Sequence, residues 1–136
     1  QKSMKQSILT IKNKSEAVYL RLNNILYIQA DGNYCNIHLV DGGEINTLTY
    51  QRAEIARMMD EQLKEEDRSR FVLLGKSYLV NVDYVLRIQP SKQLLTFSVN
   101  KFGCTKKISL KATTRALLDL TEKVENNKEG IMFHTP

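Results

Sequence analysis

Tryptophan is absent from this chain of 136 residues, and cysteine and proline occur twice each. The two cysteines, Cys35 and Cys104, are too few for a disulfide framework and show no metal-ligand spacing, which argues against a stapled secreted scaffold and a zinc module. With only six glycines as well, the composition is ordinary for a globular protein and does not suggest disorder. No apolar run approaches the ~18 residues of a membrane-crossing helix. The start, Gln1-Lys2-Ser3-Met4-Lys5-Gln6, lacks the apolar stretch of a signal peptide. Catalytic signatures are missing too: no HExxH, CxxC, GxSxG or phosphate-cradling glycine loop occurs, and His38 and His134 stand far apart. The expectation is a non-enzymatic domain with no cofactor and no metal, working in a reducing cytoplasm. Gln1 is not an initiator residue, so a fragment of a longer protein is expected.

What is present is charge, unevenly placed. The total is +5, yet residues 71–115 hold eight basic residues against Asp83 alone, a local +7. Residues 1–30 carry +4, 31–50 carry −3, 51–70 carry −1 and the remainder −2. An excess gathered in one segment polarises the field, as in anion binders. Charge alone leaves a nucleic-acid site and a solvated lysine-rich surface equally open. The length suits one domain, able to bury roughly two thirds of its unfolded surface.

Periodicity predicts a mostly β chain. Val18, Leu20 and Leu22 alternate with Tyr19 and Arg21, and Leu26 and Ile28 continue the period beyond an Asn23-Asn24 turn. Asp31-Gly32 is expected to turn next, since both residue types tolerate positive φ. Cys35, Ile37 and Leu39 then fall on one face, expected in the core, with Asn36 opposite and Tyr34 and His38 expected to be exposed. Asp41-Gly42-Gly43 closes that strand, and 44–49 returns as its partner. Ile55, Met58, Met59 and Leu63 repeat at helical spacing and predict a helix over 51–66. Its acidic end, from Asp60 to Asp67, reads as a solvated outer face rather than a metal site. Strands resume over 71–74, 78–80, 84–89 and 94–99, with Pro90-Ser91-Lys92-Gln93 as a tight connection. On the last strand Ile108 and Leu110 point inward, so Ser109 and Lys111 share the outer face. A final helix is expected over 112–125 on a stripe of Leu117, Leu120 and Val124, with 126–136 fraying.

The segment Phe71-Val-Leu-Leu-Gly-Lys76-Ser77-Tyr78-Leu-Val-Asn81-Val-Asp83-Tyr84-Val-Leu-Arg-Ile88 sets a Lys-Ser pair between two apolar runs. Such a pair is a rigid display of a cation and a hydroxyl. This run, followed by Ser109-Leu110-Lys111 and a helix, resembles the LytTR DNA-binding domain, the output domain of LytR-type bacterial response regulators. The resemblance spans about 8–124. It implies a mainly β fold: an elongated stack of small antiparallel sheets, about ten strands in all, with two short helices. The domain is expected over 8–125, with 1–7 as a linker remnant and 126–136 as a tail.

The resemblance also implies sequence-specific duplex DNA binding by a transcription regulator that inserts loops, rather than a recognition helix, into successive major grooves. Lys76 would offer three mobile donors to a base edge or phosphate, and Ser77 a hydroxyl to phosphate. The family commonly shows His-Arg-Ser where this chain has Gly75-Lys76-Ser77. Ser109 and Lys111 match the family's Ser and basic residue at the junction of last strand and helix, where unsatisfied N–H groups favour phosphate. The hydroxyls of Thr113 and Thr114 there can cap the helix or bind the anion. Lys111 stands where Arg is usual, and a lysine lacks the bidentate fork that suits guanine. Asn33 and Tyr34 match a contacting loop; an exposed aromatic in a hairpin turn accounts for them equally well. Arg115 and Lys92 complete the contact set. Asn81 reads as a structural turn former, and Cys35 as a small buried hydrophobe. The expected partner is double-stranded DNA and not a membrane. Dimerisation, or paired binding on repeat sites, would reside outside this fragment, as would a phosphoacceptor domain. Two rival readings stand beside it. One is a β-rich protein-interaction module docking an acidic partner on its basic face. The other is a cyclic-dinucleotide binder, whose arginine-pair-then-glycine signature is absent.

Overall fold

The computed structural model describes residues 7–47, 50–101 and 103–134, in which ten strands form three antiparallel sheets. Strands β1 (Ile8–Lys12) and β2 (Ala17–Arg21) make a hairpin. Strands β3 (Ile25–Asp31), β4 (Tyr34–Leu39), β5 (Glu44–Thr47), β6 (Phe71–Leu74) and β7 (Tyr78–Asn81) build the central sheet, in the order β5-β4-β3-β7-β6. The third sheet, β10-β9-β8, uses β8 (Val85–Gln89), β9 (Leu94–Lys101) and β10 (Cys104–Lys111). Helices α1 (Arg52–Gln62) and α2 (Glu65–Arg68) lie between β5 and β6, and α3 (Thr114–His134) follows β10.

Both faces of the central sheet are buried. On one, Ile25, Ile28, Ile37 and Leu79 pack with Leu9 and Leu20 of the hairpin and with Ile55 and Met59 of α1. On the other, Leu26 and Val80 pack with Leu95 and Phe97 of the third sheet and with Leu117 and Leu120 of α3. Leu79 and Val80 thus serve opposite cores, because successive strand side chains point to opposite faces. That is why Phe71-Val-Leu-Leu and Tyr78-Leu-Val read as unbroken apolar runs. Burying Phe97 alone contributes roughly 1.5–3 kcal/mol.

Burial on both faces corrects the expectation for β4. Cys35 and Ile37 are buried and Leu39 packs against them, but Tyr34 and His38 are half-buried rather than exposed. His38 stacks on Tyr27 with ring centroids 4.3 Å apart, and Tyr27 stacks in turn on Phe97. The third sheet covers the face that alternation assigned to solvent.

The helices differ as well. The stretch 51–66 breaks at Leu63, which is extended at φ −105° and ψ 147°. Helix α2 restarts with Glu65, Glu66 and Asp67 in its first turn, where carboxylates meet unsatisfied N–H groups. Its acidic neighbourhood is not merely solvated: Asp60 pairs with Arg68 at 2.7 Å, and Asp67 accepts from Ser7 Oγ. The described residues therefore hold three α-helices, not two, and α3 continues past 125 to His134. Its early turns are anchored by Leu117 and Leu120, and from 126 to 134 Gly130 opposes propagation most, by ~1 kcal/mol. Residues 1–6, 48–49, 102 and 135–136, on which parts of the sequence reading fell, lie outside the described residues.

Asn81 is structural, as expected, and more than a turn former. Its side chain is fully buried; Oδ1 accepts from Asp83 N at 3.1 Å, and Nδ2 donates to Ile25 O at 2.9 Å.

Candidate nucleic-acid interface

Strand pairing carries two turns to the same end of the central sheet. β3 pairs with both β4 and β7, with Gln29 facing Asn36 on one side and Tyr78 on the other. Ala30 N donates to Ser77 O at 2.7 Å and holds the β6–β7 turn beside β3. In that turn Gly75 adopts φ +63°, the left-handed region that glycine enters without a Cβ clash. Lys76 and Ser77 follow it, both exposed. In the neighbouring turn Asp31 still belongs to β3, and Gly32-Asn33 make the connection to Tyr34. Gly32, at φ +67°, takes the first central position, as in a type II′ turn. The turn therefore sits one residue later than expected, with Asn33 exposed at its tip.

A third segment forms where β8, β9, β10 and α3 meet. Residues Pro90–Lys92 make one 3₁₀ turn, and Gln93 closes it in the left-handed region at φ 56°. Gln93 O accepts from Ala112 N at 3.3 Å, and Pro90 O accepts from Thr114 Oγ1 at 2.9 Å. Lys92 and Lys111 consequently line one shallow cleft with Gln93, Ala112 and Thr113. Leu110 is buried while Ser109 and Lys111 are exposed, as alternation predicts. Thr113 Oγ1 accepts from Ala116 N at 3.1 Å and caps α3. Thr113 thus caps the helix, while the Thr114 hydroxyl is committed to Pro90 O. Arg115 is exposed in the first turn of α3.

These segments are in contact. A Cβ added to Gly75 would stand 3.6 Å from Ala116 Cβ, so the β6–β7 turn rests on the start of α3. Lys76, Ser77, Asn33, Lys92, Lys111 and Arg115 therefore share one end of the molecule. Tyr34 lies half-buried behind Asn33, and Ser109 lies two residues back along β10 from Lys111. The local +7 does not all gather there. Lys106 Nζ lies 4.0 Å from where a Cβ on Gly42 would be, beside the β4–β5 turn at the opposite end of the sheet.

Sequence reasoning missed Arg52. From the first residue of α1 its Nε donates to Lys76 O at 2.7 Å. It comes from a segment whose net charge is −1. The signal available was a cation at a helix start, where the helix dipole disfavours it. Nearby, burial pushes the Cys35 thiol up to about 11, with Arg52 pulling in the opposite direction.

The assembled end offers ammonium, guanidinium, hydroxyl and amide donors, the groups that meet phosphate oxygens and base edges. Among the described residues, no group of three or more His, Cys, Asp or Glu is placed to hold a metal ion. No described helix is long and apolar enough to cross a membrane.

The family model described as the LytTr DNA-binding domain matches residues 15–110. No curated protein matches the chain. Among solved structures, a LytTr DNA-binding domain from Bacillus cereus shares the fold at a TM-score of 0.53 and 12% identity, over 88% of this chain and 98% of that one. The family match takes in both turns and runs to the last residue but one of β10, and on that extent the chain belongs to the LytTr DNA-binding domain family.

Proposed function

We propose that this domain binds duplex DNA sequence-specifically as a transcription regulator, reading the major groove with its turns, and that it is the cytoplasmic output domain of a two-component response regulator. One observation carries the reading: the β6–β7 turn, the β3–β4 turn and the start of α3 meet at one end and expose Lys76, Ser77, Asn33, Lys92, Lys111 and Arg115 there. The two turns are two strand spacings apart, about 10 Å, which fits the ~12 Å width of the major groove. Asn33 and Lys76 at the tips suit base edges. Ser77, Ser109, Lys92, Lys111 and Arg115 suit the flanking phosphates. The Bacillus cereus domain is described as part of a response regulator, the setting proposed for this chain.

A salt titration on duplex DNA tests the reading. Neutralising ~4–6 phosphates gives a log–log slope of affinity against salt near −4 to −5. A slope shallower than about −2, or equal affinity for any acidic polymer, overturns it in favour of a protein-interaction module.

A further inference from the structure

We infer that Arg52 is a positioning residue for DNA recognition, a guanidinium planted on α1 that fixes the peptide from which Lys76 and Ser77 project. The inference rests on the DNA-binding reading above. A lysine side chain is long and mobile, so the fold can aim it only through its backbone. The β6–β7 turn has anchors on three sides. Ser77 O is tied to Ala30 N at 2.7 Å, Gly75 rests on Ala116, and Lys76 O accepts from Arg52 Nε at 2.7 Å. The last of these fixes the carbonyl between Lys76 and Ser77, and with it the plane of the peptide joining them.

Arg52 is suited to that work by its own support. The preceding Gln51 and the following Glu54 form a capping box, with Gln51 N donating to Glu54 Oε1 at 2.8 Å. The arginine stem therefore leaves a rigid first turn. Its side chain is half-buried, and its charge acts on the Cys35 thiol of β4 as well as on the β6–β7 turn. A cation at a helix start is disfavoured by the helix dipole, and nothing local to α1 accounts for it. The bond to Lys76 O does. A planar guanidinium donates along a fixed direction, which an ammonium of equal charge does not.

The test uses Arg52→Lys, which preserves net charge, on a selected site and on random duplex at fixed salt. Selected-site affinity should fall about tenfold while random-duplex affinity and salt slope hold, so the ratio of the two collapses. In the protein without DNA, amide exchange at Ala30 should quicken, because its acceptor Ser77 O is no longer held. In a Lys76→Ala background the same substitution should add no further loss. Arg52→Gln should lower the ratio likewise, and it serves if Arg52→Lys fails to fold. An equal loss on both duplexes would make Arg52 a general charge contact and overturn the inference. Faster Ala30 exchange with an unchanged ratio would also overturn it, while leaving DNA binding intact. Failure of the unaltered domain to prefer the selected site would remove sequence reading itself, and the inference with it.

Discussion

Burial decides what a polar residue does, and Asn81 and the two cysteines show it from opposite sides. Asn81 holds Ile25 O at 2.9 Å and Leu22 O at 3.5 Å while accepting from Asp83 N, which stitches β7 to the start of β3. Asn81→Ala strips the donor from two carbonyls at a fully buried position, so it should cost about 2–4 kcal/mol, read from the urea midpoint. Asn81→Asp should be no better at neutral pH, since a carboxylate cannot donate to Ile25 O. A loss under ~1 kcal/mol would show that water replaces those bonds. Cys35 is fully buried and its thiol is pushed up to about 11, whereas Cys104 is exposed. At pH 8 about one Cys35 in a thousand would be thiolate, on top of its burial. A thiol reagent should titrate Cys104 quickly in the native protein and Cys35 only after unfolding. Two fast thiols would contradict the core placement of β4.

At the scale of elements, β4 is where a pattern and its environment part company. His38 stacks on Tyr27, and its Nε2 lies 3.2 Å from Gln29 Oε1. Burial lowers its pKa below 6.5, with Glu44 acting the other way. In the window between the folded and unfolded values the unfolded chain binds more protons, so stability is full above about pH 6.5 and falls as pH drops through the window. Thermal melts from about pH 7.5 to 5 should show that decline, and His38→Gln should flatten it. An identical decline in both proteins would place the titrating group elsewhere. The strands themselves were legible because a strand buried on one face alternates and one buried on both runs apolar. The layering was not, since alternation cannot say whether a second sheet covers the polar side. The break at Leu63 carries no Gly or Pro to mark it. At the candidate site, Lys76 and Lys111 stand out through a local motif. Arg52 does not, because its partner Lys76 lies 24 positions away and a running charge count sees only neighbours.

For the whole molecule, the question is whether binding follows total charge or the end at which charge is presented. β10 contains the control. Lys106 and Lys111 are both exposed on one strand, but Lys106 lies beside Gly42 at one end and Lys111 lines the cleft with Lys92 at the other. Five strand residues separate them by about 16 Å, roughly twice the Debye length at physiological salt. Lys106→Gln and Lys111→Gln change net charge identically. If DNA is held by the end that gathers the turns, Lys111→Gln should weaken binding and reduce the salt slope by about 0.9, the signature of one lost phosphate contact. Lys106→Gln should leave the slope unchanged and affinity within about twofold, because a screened charge at the far end contributes little. Parallel titrations of the two variants on one duplex make the comparison. Equal losses would mean that the basic strand acts as a diffuse field. A loss confined to Lys106→Gln would move the interface to the β4–β5 end and take the turn-based reading with it.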